Sequence, residues 1–372
     1  MNLPVATPAY VIDEKSLIRN LMILQGIRKR TGCKILLASK AFSMYALFPL
    51  IGQYLDGVTS SGFYEAKLGR EEMNKEVHTF SPAFEEGEID EIIALSDHIV
   101  CNSLQQWNQY RHRLSGKVSC GLRINPEYSE IEVPLYDPCA PYSRMGIRLS
   151  QLKSIDLTGI DGFHFHTMCE QGADTLARTL KVIEEKFGAY LHQLSWINLG
   201  GGHHITKEGY DIALLESLIT HLKTTYGVEV YLEPGEAVAL NAGWLAASVL
   251  DIIENGKQIA ILNASAACHM PDVLEMPYRP EIVGASKADV LSDTYLLAGN
   301  TCLAGDVIGE YSFDHPLQIG EQLLFCDMAI YTMVKNNTFN GMRLPSIYIR
   351  KESGKCELIK AFDYEAFKSR LS

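Results

Sequence analysis

The sequence predicts a (β/α)8 TIM-like barrel followed by a second, C-terminal β domain. Up to about residue 240, short apolar runs alternate with amphipathic helical patterns, which is typical of a closed parallel barrel. The expected barrel strands lie near 34–39, 57–60, 77–81, 97–101, 118–124, 160–166, 196–200 and 229–233. Beyond Asn241 the runs become short and β-rich, with Gly and Asp between them, which indicates a separate β domain. We therefore expect the barrel at 13–241, and the β domain at 1–12 plus 242–372.

Local patterns in the sequence predict individual strands, helices and loops. Residues 6–12 are predicted to form a strand, and Asp13 is a suitable N-cap for a helix that runs to about Arg30. The segment from Asn125 to Met145 contains four prolines and little helical periodicity. A long irregular loop at the catalytic face of a barrel is a candidate lid. In the β domain, strands are expected at 249–253, 258–264, 295–298, 322–325 and 346–350.

Composition excludes several classes of protein. The formal net charge of −12 argues against nucleic acid as a partner, because phosphate binding needs clustered Lys and Arg. No apolar window is long enough to span a membrane, and the N-terminus lacks the pattern of a signal peptide, so we expect a cytoplasmic protein. The nine cysteines include no CxxC pair, which predicts neither a disulfide framework nor a zinc finger.

Lys40 is the first candidate for chemistry. It lies at the carboxyl end of the apolar run Ile35–Ala38, and this edge is where barrels carry their active sites. A lysine held against apolar walls has a lowered pKa and acts as an amine nucleophile. The alternative is a surface lysine that follows a strand.

Other candidates follow the last barrel strands. Gly200, Gly201 and Gly202 follow the seventh strand, where barrels often bind phosphate, although a plain tight turn is an alternative. Glu233 ends the eighth strand, where a carboxylate can keep a heterocyclic nitrogen protonated or simply form a salt bridge.

Two histidines end the sixth strand. His164 and His166 share one face of the strand. They could bind a metal together with His203 or His204, or one could stack on a flat ligand while the other lies in the core. We favour the second interpretation and expect no metal.

Two polar segments of the β domain also carry reactive groups. Cys302 lies in a turn with Gly, Asn and Asp, where an exposed thiol can donate a proton. Tyr331 can donate a phenolic hydrogen bond to a phosphate. Four features together suit a phosphorylated pyridine aldehyde as the ligand: a lysine after the first barrel strand, a histidine after the sixth, glycines after the seventh and a glutamate after the eighth.

This ordered set resembles the fold type III pyridoxal-phosphate decarboxylases, the ornithine and diaminopimelate decarboxylase group. The resemblance covers nearly the whole chain and implies an alanine racemase-like fold, the cofactor pyridoxal 5'-phosphate and a homodimer with shared active sites. It assigns Lys40 to the Schiff base with the cofactor and Cys302, with Asp306 beside it, to protonation from the opposite subunit. The cofactor-binding residues that it implies are Arg123, His166, Gly200, Gly201, Gly202, Glu233 and Tyr331.

Three departures from the family pattern bear on the substrate. Glu236 stands in place of the usual arginine after Glu-Pro-Gly, Thr167–Glu170 replaces the expected serine, and 268–278 is unlike the ornithine and diaminopimelate enzymes. In all three departures the chain is similar to family members that act on carboxylated polyamines, so the resemblance implies a small cationic substrate of that kind. Carboxylates would bind its ammonium groups, and we expect Glu236, Asp272 and Glu275, with Asp306, to line its path. The same departures remove two customary groups that neutralise the phosphate.

Three other functions remain open from the sequence. A sister decarboxylase would act on diaminopimelate or arginine, and the departures above count against it. A catalytically inactive regulatory homologue would keep the fold but lose at least one of Lys40, Glu233 and Cys302, all of which are present. A metal-dependent barrel hydrolase would require bound metal.

Overall fold

The computed structural model describes residues 2–152 and 156–372. The chain forms two compact units, one of Asn20–Val238 and one of Met1–Arg19 with Ala239–Ser372. A closed eight-stranded barrel lies in the first unit and a nine-stranded sheet in the second. The prediction of a barrel with a further β domain is confirmed.

Eight parallel strands close the barrel in the order in which they occur along the chain. Their residues are almost all buried, as is typical of strands covered by helices outside and packed side chains inside. They are β2 (Lys34–Ala38), β3 (Gly57–Ser60), β4 (Glu76–Phe80), β5 (His98–Cys101), β6 (Ser119–Arg123), β7 (Gly162–His164), β8 (Trp196–Asn198) and β9 (Glu229–Leu232).

Helices precede, connect and follow the barrel strands. Several begin or end at capping residues: Ser103 accepts a hydrogen bond from the Gln106 N–H, and Gly227 ends a helix in the left-handed conformation with φ 72°. The helices are α1 (Glu14–Thr31), α2 (Phe48–Ile51), α3 (Phe63–Glu72), α4 (Ile89–Leu95), α5 (Leu104–Leu114), α6 (Leu149–Leu152), α7 (Ala173–Leu191), α8 (Ile212–Tyr226) and α9 (Glu236–Ala239). A 3₁₀ turn at Tyr45–Leu47 precedes α2.

The segment predicted to be a long irregular loop contains no helix or regular strand between Ile124 and Ile147. The side chain of Asn125 donates hydrogen bonds to the Pro138 and Met145 carbonyls, at 3.2 and 2.9 Å. Arg178 on α7 binds the Glu130 carboxylate through two nitrogens, at 2.7 and 2.8 Å. The loop is therefore fastened at its base and at one side, and its role as a lid stays a prediction.

The second unit contains one sheet of nine strands. The strands are β1 (Ala9–Asp13), β10 (Gly243–Glu254), β11 (Gln258–Leu262), β12 (Ser286–Lys287), β13 (Asp293–Ala298), β14 (Val307–Phe313), β15 (Gln322–Cys326), β16 (Ser346–Arg350) and β17 (Cys356–Lys360). Their order is β12-β14-β13-β11-β10-β1-β16-β17, with β15 also paired to β10. The long strand β10 pairs antiparallel with β1, β11 and β15, so the N-terminal strand is an inner member of this sheet. Four short helices complete this unit: α10 (Ala266–His269), α11 (Asp272–Glu275), α12 (Thr332–Lys335) and α13 (Tyr364–Lys368).

Within 2–152 and 156–372, none of the helices combines the length and the hydropathy that crossing a lipid bilayer requires.

Polar side chains fill the end of the barrel where the strands begin. The imidazole rings of His78 and His98 stack with centroids 3.9 Å apart. The Glu76 carboxylate lies 2.9 Å from His78 Nε2 and 3.7 Å from His98 Nε2, and it accepts a hydrogen bond from the Tyr231 hydroxyl. Burial, and then the neighbouring His78, lower the pKa of His98 to about 3.

We expect the free energy of unfolding to depend on pH through His98, and we expect the substitution His98→Asn to weaken that dependence. An unfolded histidine binds a proton below about pH 6.5, whereas folded His98 stays neutral until about pH 3. The unfolded state therefore binds more protons, and the free energy of unfolding falls as the pH is lowered through this range. We expect the substitution to flatten that slope between pH 6 and 4.5 by about 1 kcal/mol per pH unit.

The measurement is urea denaturation at pH 7, 6, 5 and 4.5. Burial would raise the pKa of Glu76, but the hydrogen bond from His78 holds it at about 2. The range stops at pH 4.5 so that Glu76 stays ionised in the folded protein. His112→Asn, on the exposed face of α5, is the control and should keep the parent slope. Equal slopes for parent and His98→Asn would contradict the prediction.

Candidate active site

The carboxyl ends of the barrel strands bring most of the predicted site residues to one end of the barrel. Arg123 is the last residue of β6, and Glu233 directly follows β9. Lys40, His166 and Gly200 each lie two residues beyond β2, β7 and β8 respectively. Parallel strands in a closed barrel all end at the same face, so these side chains surround one opening.

Lys40 lies at this opening with its side chain accessible to solvent. It forms no ion pair within the described residues. Its pKa is lowered, first because the barrel residues packed around the opening limit the hydration of the charged amine, and then by the charge of Arg123, while Glu233 and Glu65 act in the opposite direction. A larger share of the amine is therefore neutral near pH 7, which is the nucleophilic form.

Glu65 is a neighbour of Lys40 that the sequence analysis missed. The Ser39 hydroxyl donates to the Thr59 carbonyl at 3.0 Å and contacts the Glu65 carboxylate at 2.9 Å. Glu65 lies on α3, one strand further around the barrel from Lys40. Its position in the first turn of the helix after β3 was the only available signal, because Ser39 and Glu65 lie far apart in sequence.

The Glu233 carboxylate is buried between two polar side chains. Asn198 Nδ2 donates to its Oε1 at 2.7 Å, and His164 Nε2 lies 3.2 Å from its Oε2. Burial alone would raise the pKa of Glu233, but the hydrogen bonds that its carboxylate accepts from His164 and Asn198 outweigh that effect and lower the pKa. Burial lowers the pKa of His164, so a neutral imidazole that donates from Nε2 fits this pair. The result is an ionised carboxylate fixed at the end of β9.

His166 and the three glycines form a second fixed group. The Gly201 N–H donates to His166 Nδ1 at 3.0 Å, and burial together with Lys40 lowers the pKa of His166 well below its usual value. Gly200 and Gly202 have φ of 69° and 81°, and a Cβ on Gly202 would lie 1.9 Å from the Met168 carbonyl. Only glycine permits this close packing of the turn against the preceding loop.

Arg123 is buried beside these groups. Its guanidinium donates to the His166 carbonyl at 3.1 Å and lies over the ring of Phe80, 4.7 Å from the centroid. Burial lowers its pKa to about 10. Arg123 thus stays a cation near Lys40 and Glu233 and helps to hold the His166 segment in place.

Glu236 is the first residue of α9, and it lies beside two residues that the sequence analysis did not assign to the site. His204 Nε2 is 3.3 Å from Glu236 Oε1, and ligand-type atoms of Glu170, His204 and Glu236 all lie within 4.8 Å of one another. The sequence considered alone pointed to His204 only as a possible metal ligand and to Glu170 only within the departure at 167–170. Their shared position after barrel strands is the signal that places both beside Glu236.

The β domain holds Cys302 and Asp306 on the connection between β13 and β14. Cys302 is exposed, and its N–H donates to the Asn340 side chain at 3.1 Å. Asp306 is buried and accepts hydrogen bonds from the hydroxyls of Ser265 and Thr301, at 2.8 and 2.7 Å. These bonds make Asp306 a residue that shapes the turn carrying Cys302.

Asp272 and Glu275, predicted to bind substrate, share a cation of this chain. The Lys335 amine contacts Asp272 Oδ1 and lies 2.6 Å from Glu275 Oε2. The two carboxylates therefore already have a positive partner within their own unit. Tyr331, which precedes α12, has φ 52° and ψ −46°, an uncommon backbone conformation for a residue with a side chain.

Among the described residues, two groups of at least three side chains could hold a metal: Glu76 with His78 and His98, and Glu170 with His204 and Glu236. His164 and His166, whose binding of a metal was the less favoured interpretation of the sequence, belong to neither group. Nε2 of His164 faces Glu233, and Nδ1 of His166 accepts from Gly201. The rings of His78 and His98 stack 11° from parallel, so their in-plane lone pairs lie in nearly parallel planes and do not converge on one metal position.

The fold and site define a class of enzyme. Residues 9–329 match the family described as pyridoxal-dependent decarboxylase, C-terminal sheet domain. The chain belongs to this family and is a pyridoxal-dependent decarboxylase, which confirms the resemblance drawn from the sequence.

Several known proteins and solved structures are similar to this chain. The chain is 48% identical to the carboxynorspermidine/carboxyspermidine decarboxylase of Campylobacter jejuni, with 98% of each protein covered. It is 42% identical to the carboxyaminopropylagmatine decarboxylase of Synechocystis sp., covering 98% of this chain and 95% of that protein. The crystal structure of carboxynorspermidine decarboxylase from C. jejuni with norspermidine superposes with a TM-score of 0.93 at 46% identity, covering 98% and 100%. Diaminopimelate decarboxylase from Helicobacter pylori shares the fold, with a TM-score of 0.82 at 16% identity and coverage of 99% and 97%.

Proposed function

We propose that this chain decarboxylates a carboxylated polyamine, carboxynorspermidine or carboxyspermidine, to give norspermidine or spermidine in polyamine biosynthesis. The observation that carries the proposal is Glu236, a carboxylate at the barrel opening just beyond Glu233, where the family pattern has an arginine. A carboxylate there favours a substrate whose far end is an ammonium group. The carboxynorspermidine and carboxyspermidine decarboxylases among the relatives support the same substrate class.

The residues at the opening fit pyridoxal 5'-phosphate. Lys40 offers an amine without an ion-pair partner among the described residues, and the Gly202 N–H makes no hydrogen bond there and is available to a phosphate oxygen. Lys40 would hold the cofactor covalently, His166 would pack on its ring, and Glu233 would keep a proton on the ring nitrogen. Arg123, Gly200, Gly201 and Tyr331 complete the proposed binding residues.

When bound, this cofactor takes up the electron pair that is left as carbon dioxide departs. The Lys40 amine would hold the cofactor, would give up that place to the substrate amine, and would take it back as the product leaves. The Cys302 thiol donates the proton that replaces the carboxylate on the same carbon. Asp306 keeps the Cys302 turn in place through Thr301 and Ser265.

We also propose a homodimer in which Cys302 of the partner subunit serves each barrel. Cys302 is exposed, as a group that acts on another chain must be. The Asn340 and Thr301 contacts hold its turn without covering the thiol.

The decisive experiment is carbon dioxide release by the cofactor-loaded protein from a panel of substrates. The panel contains carboxynorspermidine, carboxyspermidine, carboxyaminopropylagmatine, meso-diaminopimelate, L-ornithine and L-arginine. We expect kcat/KM for the carboxylated triamines to exceed that for the amino acids by at least about 10²-fold, because the amino acids lack most of the cationic chain. A higher value for carboxyaminopropylagmatine would move the proposal to the activity of the Synechocystis relative, and a higher value for diaminopimelate would overturn it.

A further inference from the structure

Tyr331 lies at a turn whose backbone conformation needs support from its neighbours. Its φ of 52° and ψ of −46° place it at the centre of a γ-turn with positive φ, in which the Thr332 N–H donates to the Ile330 carbonyl. This kind of turn is rare and strained for a residue with a side chain. Because a strained conformation persists only where the surrounding structure holds it, contacts from other segments must keep Tyr331 in this turn.

Lys335 connects the Tyr331 turn to a second helix. The short helix α12 follows the turn and ends at Lys335, whose N–H donates to the Tyr331 carbonyl at 3.0 Å. The Lys335 amine reaches α11, where it contacts Asp272 Oδ1 and lies 2.6 Å from Glu275 Oε2. The main chain of this one residue therefore bonds to the turn, while its side chain bonds to α11.

The two carboxylates depend on this single amine. Within residues 2–152 and 156–372, no other Lys or Arg forms an ion pair with Asp272 or Glu275. The side chains of Lys335 and Asp272 are only 33% and 20% exposed, so water and salt screen their attraction in part. Without the amine, α11 would carry two unbalanced negative charges one turn apart, and its charged link to α12 would be lost.

Uncharged contacts join the same segments and should keep the unit folded when Lys335 is replaced. The buried Tyr10 hydroxyl donates to the His269 carbonyl at 2.6 Å and lies 3.4 Å from the Thr332 carbonyl. Beyond α12, the Asn337 N–H donates to the Cys268 carbonyl at 2.9 Å. These bonds hold the start of α12 and the residues after it, whereas the ion pairs of Lys335 hold its last turn.

We propose that Lys335 is a positioning residue for Tyr331. Its ion pairs with Asp272 and Glu275 hold α12 in place, and α12 in turn maintains the strained turn that makes the Tyr331 hydroxyl available to the phosphate of the cofactor. This inference rests on the proposed function, which assigns Tyr331 to that phosphate. It gives the two carboxylates a role within their own unit, distinct from the substrate contact expected from the sequence.

The test measures how tightly the full chain, freed of cofactor, binds pyridoxal 5'-phosphate and pyridoxal, which lacks the phosphate. We expect Tyr331→Phe to raise the Kd of pyridoxal 5'-phosphate by about 10-fold, because it removes a hydrogen bond to a charged group. Lys335→Met should raise the same Kd by about 5-fold. Both variants should keep the Kd of pyridoxal within about 2-fold of the parent value, since Tyr331 has no phosphate to contact there.

A double variant shows whether Lys335 acts through Tyr331. Adding Lys335→Met to Tyr331→Phe should raise the Kd of pyridoxal 5'-phosphate by less than about 2-fold more, because the hydroxyl to be positioned is already absent. Lys335→Arg can still bind both carboxylates and should keep this Kd within about 2-fold of the parent value. The matched control is Lys368→Met, an exposed lysine on α13 in the same unit, which should change neither Kd.

Four results would overturn the inference. They are an unchanged Kd of pyridoxal 5'-phosphate in Lys335→Met, an equal loss of affinity for both ligands in that variant, full additivity with Tyr331→Phe, and an unchanged Kd in Tyr331→Phe itself. If Lys335→Met does not fold, Asp272→Asn replaces it under the same criteria, because it removes one partner of the amine. Carbon dioxide release from carboxylated triamines is measured separately on the parent enzyme, so a failure of the proposed substrate is distinguishable from a failure of the role of Lys335.

Discussion

Lys40→Ala is expected to abolish the cofactor adduct that borohydride reduces and to lower decarboxylation by at least about 10⁴-fold. The substitution removes the amine that would hold the cofactor, while Glu233 keeps its bonds to His164 and Asn198. Because the Lys40 side chain is exposed and forms no ion pair in the described structure, stability should change by less than about 1 kcal/mol. Mass spectrometry after borohydride reduction measures the adduct, and thermal denaturation checks the fold.

Lys207→Ala is the matched control for this prediction. Lys207 is an exposed lysine on the connection after β8, and its substitution should leave the reduced adduct and its stoichiometry unchanged. An adduct that persists in Lys40→Ala and maps to another lysine would contradict the assignment of Lys40. Loss of the adduct in both variants would also count against it, because the effect would not be specific to Lys40.

The barrel could be predicted from the sequence because its strands are buried on both faces. Such strands appear as apolar runs separated by helical patterns, and the expected positions agree with β2–β9 within a few residues. The β domain was predicted less completely. β14 (Val307–Phe313) contains Gly309 and Glu310, and β17 (Cys356–Lys360) is largely exposed, so neither shows the apolar or alternating pattern that marks a strand.

The candidate site, too, could be predicted from the sequence only in part. Residues that directly follow a barrel strand, such as Lys40 and Glu233, could be placed at the opening because all barrel strands end at one face. The ion pairs of Lys335 with Asp272 and Glu275 could not be foreseen, because they join positions about 60 residues apart. The proximity of Glu170 to His204 depends on backbone bonds between two connections, which leave no periodic signal in the sequence.

Cys302→Ala is expected to lower turnover by roughly 10²–10⁴-fold and to increase products that are protonated at the wrong atom, because it removes the proposed general acid. The exposed thiol contributes little to packing, and the turn is held through Asn340, Thr301 and Asp306, so the fold should persist. Product analysis by mass spectrometry in heavy water measures both effects. Cys356→Ala, on β17, is the matched control and should retain parent activity; unaltered rate and products in Cys302→Ala would mean that another group donates the proton.

Mixing the two inactive variants tests whether subunits share their sites. A heterodimer of Lys40→Ala with Cys302→Ala has one site that lost both groups and one that keeps both, if Cys302 acts on the partner subunit. Random reassociation makes about half of the dimers mixed, so activity should recover to about one quarter of the parent value. If each Cys302 acts within its own chain, every site lacks one group and no activity returns. Recovery would therefore support both the dimer and the role of Cys302, whereas its absence after verified exchange of subunits would exclude the shared arrangement.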